Sequence, residues 1–363
     1  MKVVFRVDAS IELGIGHVMR CLTLAEELRA NGSEVFFICR VFNGDLCDFI
    51  QNKGFYIYRL KNKKNSKKSM DQTKVLSQGP AVNWKTDAFE TIEILKRLKN
   101  IDWLVIDHYA LDKDWESQIR SFTKKVMVID DLANREHECD MLLDQNYYIN
   151  RDKRYQYLLP SSCKLLLGPN FALLREEFWH QRLKVKHSQR GLIQRVFICF
   201  GGSDPSNVTG KILRTIDDLK CDHIVFDVVV GASNQYKDEI KFLCEKNHHF
   251  RFFLNADNIA QIMSNADMCI VSGGTLTWER YCLGLVGGII TTAKNQEQLA
   301  QTVHEFQIDE YIGRADVLTE KKAFKKIESM LSTSVDQLVH RREMAMKMVD
   351  GIGVKRVISA MND

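Results

Sequence analysis

The 363-residue sequence contains no apolar run that approaches the roughly 18 residues of a membrane-spanning helix. Its first ten residues, MKVVFRVDAS, place an arginine and an aspartate where a signal peptide needs uninterrupted apolar residues. The ten cysteines include no CxxC pair and follow no regular spacing. This pattern predicts reduced thiols and no zinc site. We therefore expect a cytoplasmic protein that does not insert into membranes.

An excess of charge of one sign is also missing. The chain carries 51 Lys and Arg residues against 47 Asp and Glu residues, a net charge of +4. This balance does not predict nucleic-acid binding, although it allows a local positive pocket for an anionic substrate. With 45% hydrophobic residues, the chain can form two apolar cores. Its length suggests two domains of roughly 100 to 200 residues each.

Apolar runs alternate with helical patterns along both halves of the chain. The runs of the first half are VVFRVD, EVFFICR, FYIYRL, WLVIDHY, VMVIDD and KLLLGP. Those of the second half are RVFICFGGSD, HIVFDVVVG, FRFFLNA, DMCIVSGG and GGIITT. Continuous apolar runs are typical of parallel strands that are covered on both faces. The pattern predicts an α/β protein with two Rossmann-like, doubly wound parallel-sheet domains that face each other across a cleft.

We place the first domain at residues 1–170, a helix and linker at 171–191, and the second domain, which ends in helices, at 192–363. The lysine-rich segment 61–88 interrupts the alternation. We interpret it as a solvated loop, with phosphate or membrane binding as the alternative. Ligands of such sheets bind where the strands end at their carboxyl termini. Polar residues at those positions are therefore the candidate site residues.

The segment VDASIELGIGHVMRC connects the first strand to a helical pattern. Gly14 and Gly16 would permit a sharp turn and a close backbone approach to a ligand. His17 would then lie on the first helical turn, where the helix amino terminus disfavours a charged imidazole. A neutral ring there could accept a proton in a reaction. The alternative is an ordinary histidine at the start of a helix.

Polar residues also follow other strands of the first half. Asp8 could orient His17 or bind a sugar hydroxyl, but its position alone favours a turn or capping role. Asp107 and Tyr109 follow a further strand in VIDHY, where functional and structural roles are both open. The same strand end carries His108, and another releases Asp130, Asp131, Arg135 and His137. The adjacent aspartates lack partner ligands at a spacing typical of metal sites, so no metal is predicted.

Two glycine turns in the second half could hold phosphate oxygens through backbone amides. FGGSD contains Gly202 and Ser203, and no GKS or GKT follows, so it is not a Walker loop. The turn SGGT precedes a helix with Glu279, whose carboxylate could accept both hydroxyls of a ribose. Each turn could instead only cap a helix, but two of them favour a nucleotide diphosphate. The further candidates are Ser272, Gly273, Gly274 and Thr275 in the second turn, and Asn295 and Gln296 after the last predicted strand, which could bind a base or sugar.

Seven motifs occur in order over nearly the whole chain: FRVDASIELGIGHVMRCLTLA, VIDHY, DDLANREHECDMLLDQN, LLLGPNFALLREEF, FGGSD, SGGTLTWE and KNQEQ. They resemble the nucleotide-sugar hydrolase family of pseudaminic acid biosynthesis, the UDP-2,4-diacetamido-2,4,6-trideoxy-beta-L-altropyranose hydrolases (PseG). FGGSD and SGGT are similar in style to the wider two-domain glycosyltransferase class that includes the MurG type. One departure is LVGGIITTAKNQ, where the family pattern suggests a proline-containing turn.

The resemblance implies the GT-B architecture, with UDP held mainly by the carboxyl-terminal domain and the sugar by the amino-terminal one. It implies cofactor-free, metal-independent hydrolysis at the anomeric carbon with inversion. His17 matches the family's general base, Tyr109 the tyrosine near the attacking water, and Glu279 the ribose-binding glutamate. The substrate of such an enzyme is a small UDP-sugar. The other candidate contacts to it are Asp8, Gly14, Gly16, Asp107, Arg175, Gly202, Ser203, Ser272, Gly273, Gly274, Thr275, Asn295 and Gln296.

Three other functions use similar features. A glycosyltransferase of the same fold would move the sugar to an acceptor, and a hydrolysing epimerase would also invert C2 of the sugar. A regulator would bind the sugar nucleotide without turning it over. His17 and Tyr109 at matching strand ends argue against the regulator.

Overall fold

The computed structural model describes residues 1–62, 83–185, 193–219 and 221–363. The described chain forms two compact units. Unit 1 comprises residues 1–146, 150–173 and 354–363, and unit 2 comprises residues 147–149 and 174–353. Residues 63–82, which are most of the lysine-rich segment, and residues 186–191, at the end of the predicted helix and linker, lie outside the described residues. The helices within the ranges described include none that is both long and apolar enough to cross a bilayer.

Unit 1 contains a seven-stranded sheet in which every pairing is parallel. The strand order is β3-β2-β1-β4-β5-β6-β7. This arrangement places the ends of β1 and β4 side by side, although about a hundred residues separate them in sequence. The strands are β1 (Lys2–Val7), β2 (Glu34–Arg40), β3 (Tyr56–Leu60), β4 (Ile101–Asp107), β5 (Thr123–Ile129), β6 (Met141–Asp144) and β7 (Lys164–Leu167).

Both faces of this sheet are buried, as the continuous apolar runs predict. Along β1, Phe5 belongs to one apolar cluster and its neighbour Val4 to the cluster on the other face. Leu22 belongs to the first cluster and Trp115 to the second. The helices that supply such residues are α1 (Gly16–Ala30), α2 (Cys47–Asn52), α3 (Trp84–Leu98) and α4 (Lys113–Ile119). The short helix α5 (Arg151–Arg154) buries no residue.

Unit 2 contains a six-stranded, all-parallel sheet of order β10-β9-β8-β11-β12-β13. Its strands are β8 (Arg195–Cys199), β9 (Val225–Val230), β10 (Phe250–Leu254), β11 (Met268–Val271), β12 (Gly287–Thr291) and β13 (Glu310–Arg314). Its helices are α6 (Glu176–Arg182), α7 (Val208–Asp217), α8 (Lys237–Lys246), α9 (Ile259–Ser264), α10 (Leu276–Cys282), α11 (Glu297–Glu305), α12 (Glu320–Leu331) and α13 (Val335–Met348).

The last helix, α14 (Gly353–Asn362), packs almost entirely in unit 1. Its residues Val357 and Met361 join the apolar cluster that contains Phe5. The indole Nε1 of Trp103 donates a hydrogen bond to the Met361 carbonyl oxygen at 3.1 Å. Residues 354–363, which the sequence placed in the second domain, therefore belong to the fold of the first.

A buried ion pair connects the strands and helices of unit 2. The Arg280 guanidinium donates to both carboxylate oxygens of Asp309. Asp309 also accepts hydrogen bonds from the Tyr281 hydroxyl at 2.5 Å and from the Gly287 backbone N–H at 2.8 Å. Arg280 and Asp309 are almost fully buried. Their mutual hydrogen bonds therefore replace hydrogen bonds to water that both groups lose on folding. Asp309 thus ties α10 to the first residue of β12.

Where the family pattern suggests a proline-containing turn, the sequence LVGGIITT places two glycines at the start of β12. A Cβ atom on Gly287 would lie 2.1 Å from the carbonyl oxygen of Cys269, and one on Gly288 would lie 2.5 Å from the Cδ1 of Ile312. Both distances are shorter than van der Waals contact. Gly287 is therefore required by the close approach of the Cys269 backbone, whereas a larger residue at position 288 would require the side chain of Ile312 to move.

Candidate active site

The turn after β1 brings His17 to the carboxyl end of the unit 1 sheet. Gly14 adopts φ of +75°, a left-handed conformation that glycine adopts at little cost. Its N–H donates to the Ser10 carbonyl oxygen at 2.9 Å. Gly16 is the first residue of α1 and His17 the second. The side chain of His17 is largely buried, with 10% of its surface exposed.

Asp107, the last residue of β4, contacts the imidazole of His17. The distance from His17 Nδ1 to Asp107 Oδ1 is 2.5 Å. Because an ionised carboxylate only accepts hydrogen bonds, Nδ1 carries the hydrogen and Nε2 is left as the proton-accepting nitrogen. Burial favours the neutral acid of Asp107, but the charge of Arg20 and the hydrogen bonds from Arg20 and His17 outweigh it and hold the pKa of Asp107 well below its usual range. A direct contact of Asp107 with substrate stays a prediction.

Arg20 is the site residue that the sequence analysis missed. Its Nε donates to Asp107 Oδ2 at 2.6 Å and its Nη2 donates to Asp107 Oδ1 at 2.6 Å. Its third nitrogen, Nη1, lies 3.2 Å from Asp131 Oδ2. A signal for Arg20 exists in the sequence, because a residue three positions after His17 lies on the same face of a helix.

Tyr109 lies next to His17, and its catalytic role stays a prediction. Their ring centroids are 4.5 Å apart and the rings meet edge to face at 87°. The Tyr109 hydroxyl donates to Asp131 Oδ1 at 2.9 Å. Burial and the nearby Asp131 carboxylate raise the pKa of Tyr109 above its usual value. The phenol therefore stays protonated at neutral pH and acts as a hydrogen-bond donor.

Asp8 makes a separate set of contacts. Its oxygens accept hydrogen bonds from Arg6 Nη1 at 2.5 Å, from the Arg40 backbone N–H at 2.7 Å and from His108 Nε2 at 3.0 Å. Asp107, and not Asp8, therefore orients the imidazole of His17. A contact of Asp8 with a sugar hydroxyl stays a prediction.

The polar residues that follow β5 are engaged within unit 1. The guanidinium of Arg135 lies 2.7 Å from Asp130, and His137 Nδ1 lies 2.7 Å from Glu116 Oε1. Among the residues that the structure describes, no cluster of three or more His, Cys, Asp or Glu side chains is arranged to hold a metal ion.

In unit 2, the first glycine turn follows β8. The Asp204 carboxylate accepts from the backbone N–H groups of Val208 and Thr209, both at 2.9 Å. Asn207 Oδ1 accepts from the Gly210 N–H at 3.1 Å. These three amides of α7 are thus already satisfied by side chains. The predicted phosphate contacts at this turn therefore concern Gly202 and Ser203 themselves, and they stay a prediction.

The second glycine turn and the segment after β12 lie together. A Cβ atom on Gly273 would lie 3.2 Å from the Cβ of Gln296, and one on Gly274 would lie 3.9 Å from its Nε2. Gln296 is fixed by the Thr292 N–H, which donates to its Oε1 at 2.9 Å. Asn295 precedes Gln296 in a short 3₁₀ turn, while Ser272 and Thr275 flank the two glycines. The structure thus brings both groups of candidates to one place.

Glu279 and Arg175, both candidates from the sequence, are in contact. Arg175 Nη2 donates to Glu279 Oε1 at 3.2 Å, and Arg175 Nη1 lies 2.6 Å from Glu177 Oε1. Burial raises the pKa of Glu279, and the Arg175 charge opposes this shift. Arg175 therefore orients one oxygen of the carboxylate. Whether Glu279 binds a ribose stays a prediction.

No protein-family model matches the chain. The UDP-2,4-diacetamido-2,4,6-trideoxy-beta-L-altropyranose hydrolase of Campylobacter jejuni subsp. jejuni serotype O:2 is 29% identical over 301 residues, covering 83% of this chain and 95% of that protein. The structure of MurG from Acinetobacter baumannii superposes with a TM-score of 0.67 at 11% identity, over 99% of both chains. The spinosyn rhamnosyltransferase SpnG, solved with thymidine diphosphate, gives 0.62 at 13% identity over 99% of both. The predicted resemblance and the GT-B fold are confirmed.

Proposed function

We propose that this protein hydrolyses a UDP-sugar at its anomeric carbon and releases UDP and the free sugar with inversion. The substrate that we propose is UDP-2,4-diacetamido-2,4,6-trideoxy-beta-L-altropyranose, a precursor in pseudaminic acid biosynthesis. The observation that carries the proposal is the His17–Asp107 pair, in which the carboxylate holds Nδ1 and leaves Nε2 as a base. The similarity to the Campylobacter hydrolase supports the choice of substrate.

In the proposed reaction, His17 Nε2 accepts a proton from water while the water oxygen bonds to C1 of the sugar. The bond between C1 and the diphosphate oxygen breaks, and UDP leaves with the bonding electrons. Asp107 stabilises the imidazolium that forms and does not itself take the proton. The Tyr109 hydroxyl donates its hydrogen to Asp131, so beside His17 its oxygen can act as a hydrogen-bond acceptor. We assign the UDP to unit 2, where Gly202, Ser203 and the second glycine turn supply backbone amides.

The decisive experiment incubates the purified protein with the UDP-sugar and no acceptor. We expect UDP release, and proton NMR should show a single product anomer of inverted configuration with C2 unchanged. A strict requirement for an acceptor would instead support the second candidate, a glycosyltransferase, which the GT-B fold favours. Inversion at C2 would identify an epimerase, and UDP binding without turnover a regulator.

We expect Glu279→Ala to raise the KM for the UDP-sugar by about 10- to 100-fold, because a hydrogen bond to a charged group is worth about 1.5 to 3 kcal/mol. The kcat should change little. Glu177→Ala is the matched control, since it removes the other carboxylate that pairs with Arg175. Steady-state kinetics and competitive inhibition by UDP measure both variants. Equal KM values for Glu279→Ala and Glu177→Ala would exclude a ribose contact by Glu279.

A further inference from the structure

We propose that Arg20 and Asp131 are positioning residues that hold His17 and Tyr109 in one buried network. The inference rests on the proposed function. Asp107 contacts both His17 and Arg20. Asp131 contacts both Arg20 and Tyr109, and the aromatic ring of Tyr109 packs against the imidazole of His17. The five side chains thus form a closed ring of contacts from α1, the end of β4 and the segment after β5.

Arg20 fixes the plane of the Asp107 carboxylate. Two of its nitrogens donate to the two oxygens at 2.6 Å each, the fork geometry that only a guanidinium provides. The same Asp107 oxygen that accepts from Nη2 lies 2.5 Å from His17 Nδ1. Arg20 Nη2 also approaches Nδ1 to 3.2 Å. Since the carboxylate cannot rotate without breaking a bond to Arg20, the imidazole is held in one orientation.

Asp131 connects the same arginine to Tyr109. Its Oδ2 lies 3.2 Å from Arg20 Nη1, and its Oδ1 accepts the Tyr109 hydroxyl at 2.9 Å. The backbone carbonyl of Asp131 accepts a further hydrogen bond from Arg154 Nη2 at 2.7 Å. One carboxylate oxygen therefore sets the guanidinium and the other sets the phenol. A shift of Asp131 would move both predicted catalytic residues.

The summed charge of these five side chains favours the protonated form of His17. With a neutral imidazole, one guanidinium faces two carboxylates, so the five side chains carry a net charge of −1. A proton on His17 brings this sum to zero. Buried charge is costly unless it is paired. The ring therefore stabilises the state that forms when water gives up its proton.

The first test uses two conservative variants. Arg20→Lys keeps the positive charge but loses the fork, and Asp131→Asn keeps the size but loses the charge. We expect each to lower kcat by about 100-fold, the cost of misplacing a catalytic group by about 1 Å, with KM close to that of the wild type. Arg120→Lys is the matched control. Arg120 pairs with Asp140 at the amino-terminal ends of the strands, on the side of the same sheet away from His17.

The second test needs no turnover. We expect ¹⁵N NMR of the substrate-free protein to show His17 protonated at Nδ1 in the wild type and a mixture of tautomers in Arg20→Lys. The signal is assigned by its loss in His17→Asn. The inference is overturned if both variants keep the wild-type tautomer, or if their kcat matches that of Arg120→Lys. If the wild type hydrolyses no UDP-sugar, the proposed function fails. The NMR comparison of His17 tautomers still tests whether Arg20 fixes the orientation of the imidazole.

Discussion

The variant His17→Asn should fold, bind UDP and lose turnover by about 100- to 10,000-fold, the usual contribution of a general base. Asparagine can still hydrogen-bond to Asp107, but its amide cannot accept a proton from water. The loss should therefore appear in kcat and not in KM. Single-turnover measurement of UDP release, together with UDP titration by calorimetry, separates the two effects.

The matched control is His137→Asn, which changes another buried histidine of unit 1. His137 pairs with Glu116 at 2.7 Å, much as His17 pairs with Asp107, but it belongs to no part of the proposed site. We expect His137→Asn to lower the melting temperature and to keep kcat. If His17→Asn retained most of the activity, His17 would have no role as the base.

The variant Asp309→Ala should lower the free energy of unfolding of unit 2 by about 3 to 5 kcal/mol, the typical cost of removing one partner from a buried ion pair. The hydroxyl of Tyr281 and the N–H of Gly287 would lose the acceptor that Asp309 provides. The Arg280 guanidinium would lose both bonds to that carboxylate and keep its bond to the Leu285 carbonyl oxygen. Hydrogen exchange of the β12 and β13 amides reports this loss locally, so that it is not confused with the unfolding of unit 1.

The surface pair Arg314–Asp316 is the control for this prediction. Its side chains lie 2.6 Å apart but are 48% and 61% exposed. Exposed ion pairs contribute about 0 to 1 kcal/mol, so Asp316→Ala should have little effect. A similar small effect for Asp309→Ala would show that the buried network contributes no more than a surface pair.

The sequence predicts two parallel-sheet domains because most of its strands lie in continuous apolar runs, and the resemblance of its motifs implies the GT-B architecture. Two strands escape this signal. β6 is only the four residues MLLD, and β13, EYIGR, begins and ends with charged residues. Both are short runs beside polar segments, and only their pairing with neighbouring strands identifies them. The position of α14 could not be predicted either, because an amphipathic helix does not specify which sheet it covers.

The site was predicted as a set of strand ends and not as a set of contacts. Tyr109 follows from that rule, whereas His17 was predicted from its place on the first turn of α1. The pairing of His17 with Asp107, and not with Asp8, depends on the distance between side chains from α1 and β4, which sequence spacing does not give. Arg20 lies within α1, whose sequence has the pattern of an ordinary helix and does not distinguish Arg20 from its neighbours. Its role emerges only when the carboxylates of Asp107 and Asp131, at the ends of the neighbouring strands β4 and β5, are both brought against its guanidinium.

The position of α14 has a consequence for biosynthesis of the chain. Residues 354–363 complete the apolar core of unit 1, yet the ribosome makes them after the whole of unit 2. During translation, Val357 and Met361 cannot cover their part of the first sheet until about 180 further residues have been added. Translation adds roughly 5 to 20 residues per second. The apolar core of unit 1 can therefore be completed only after all of unit 2 has been synthesised.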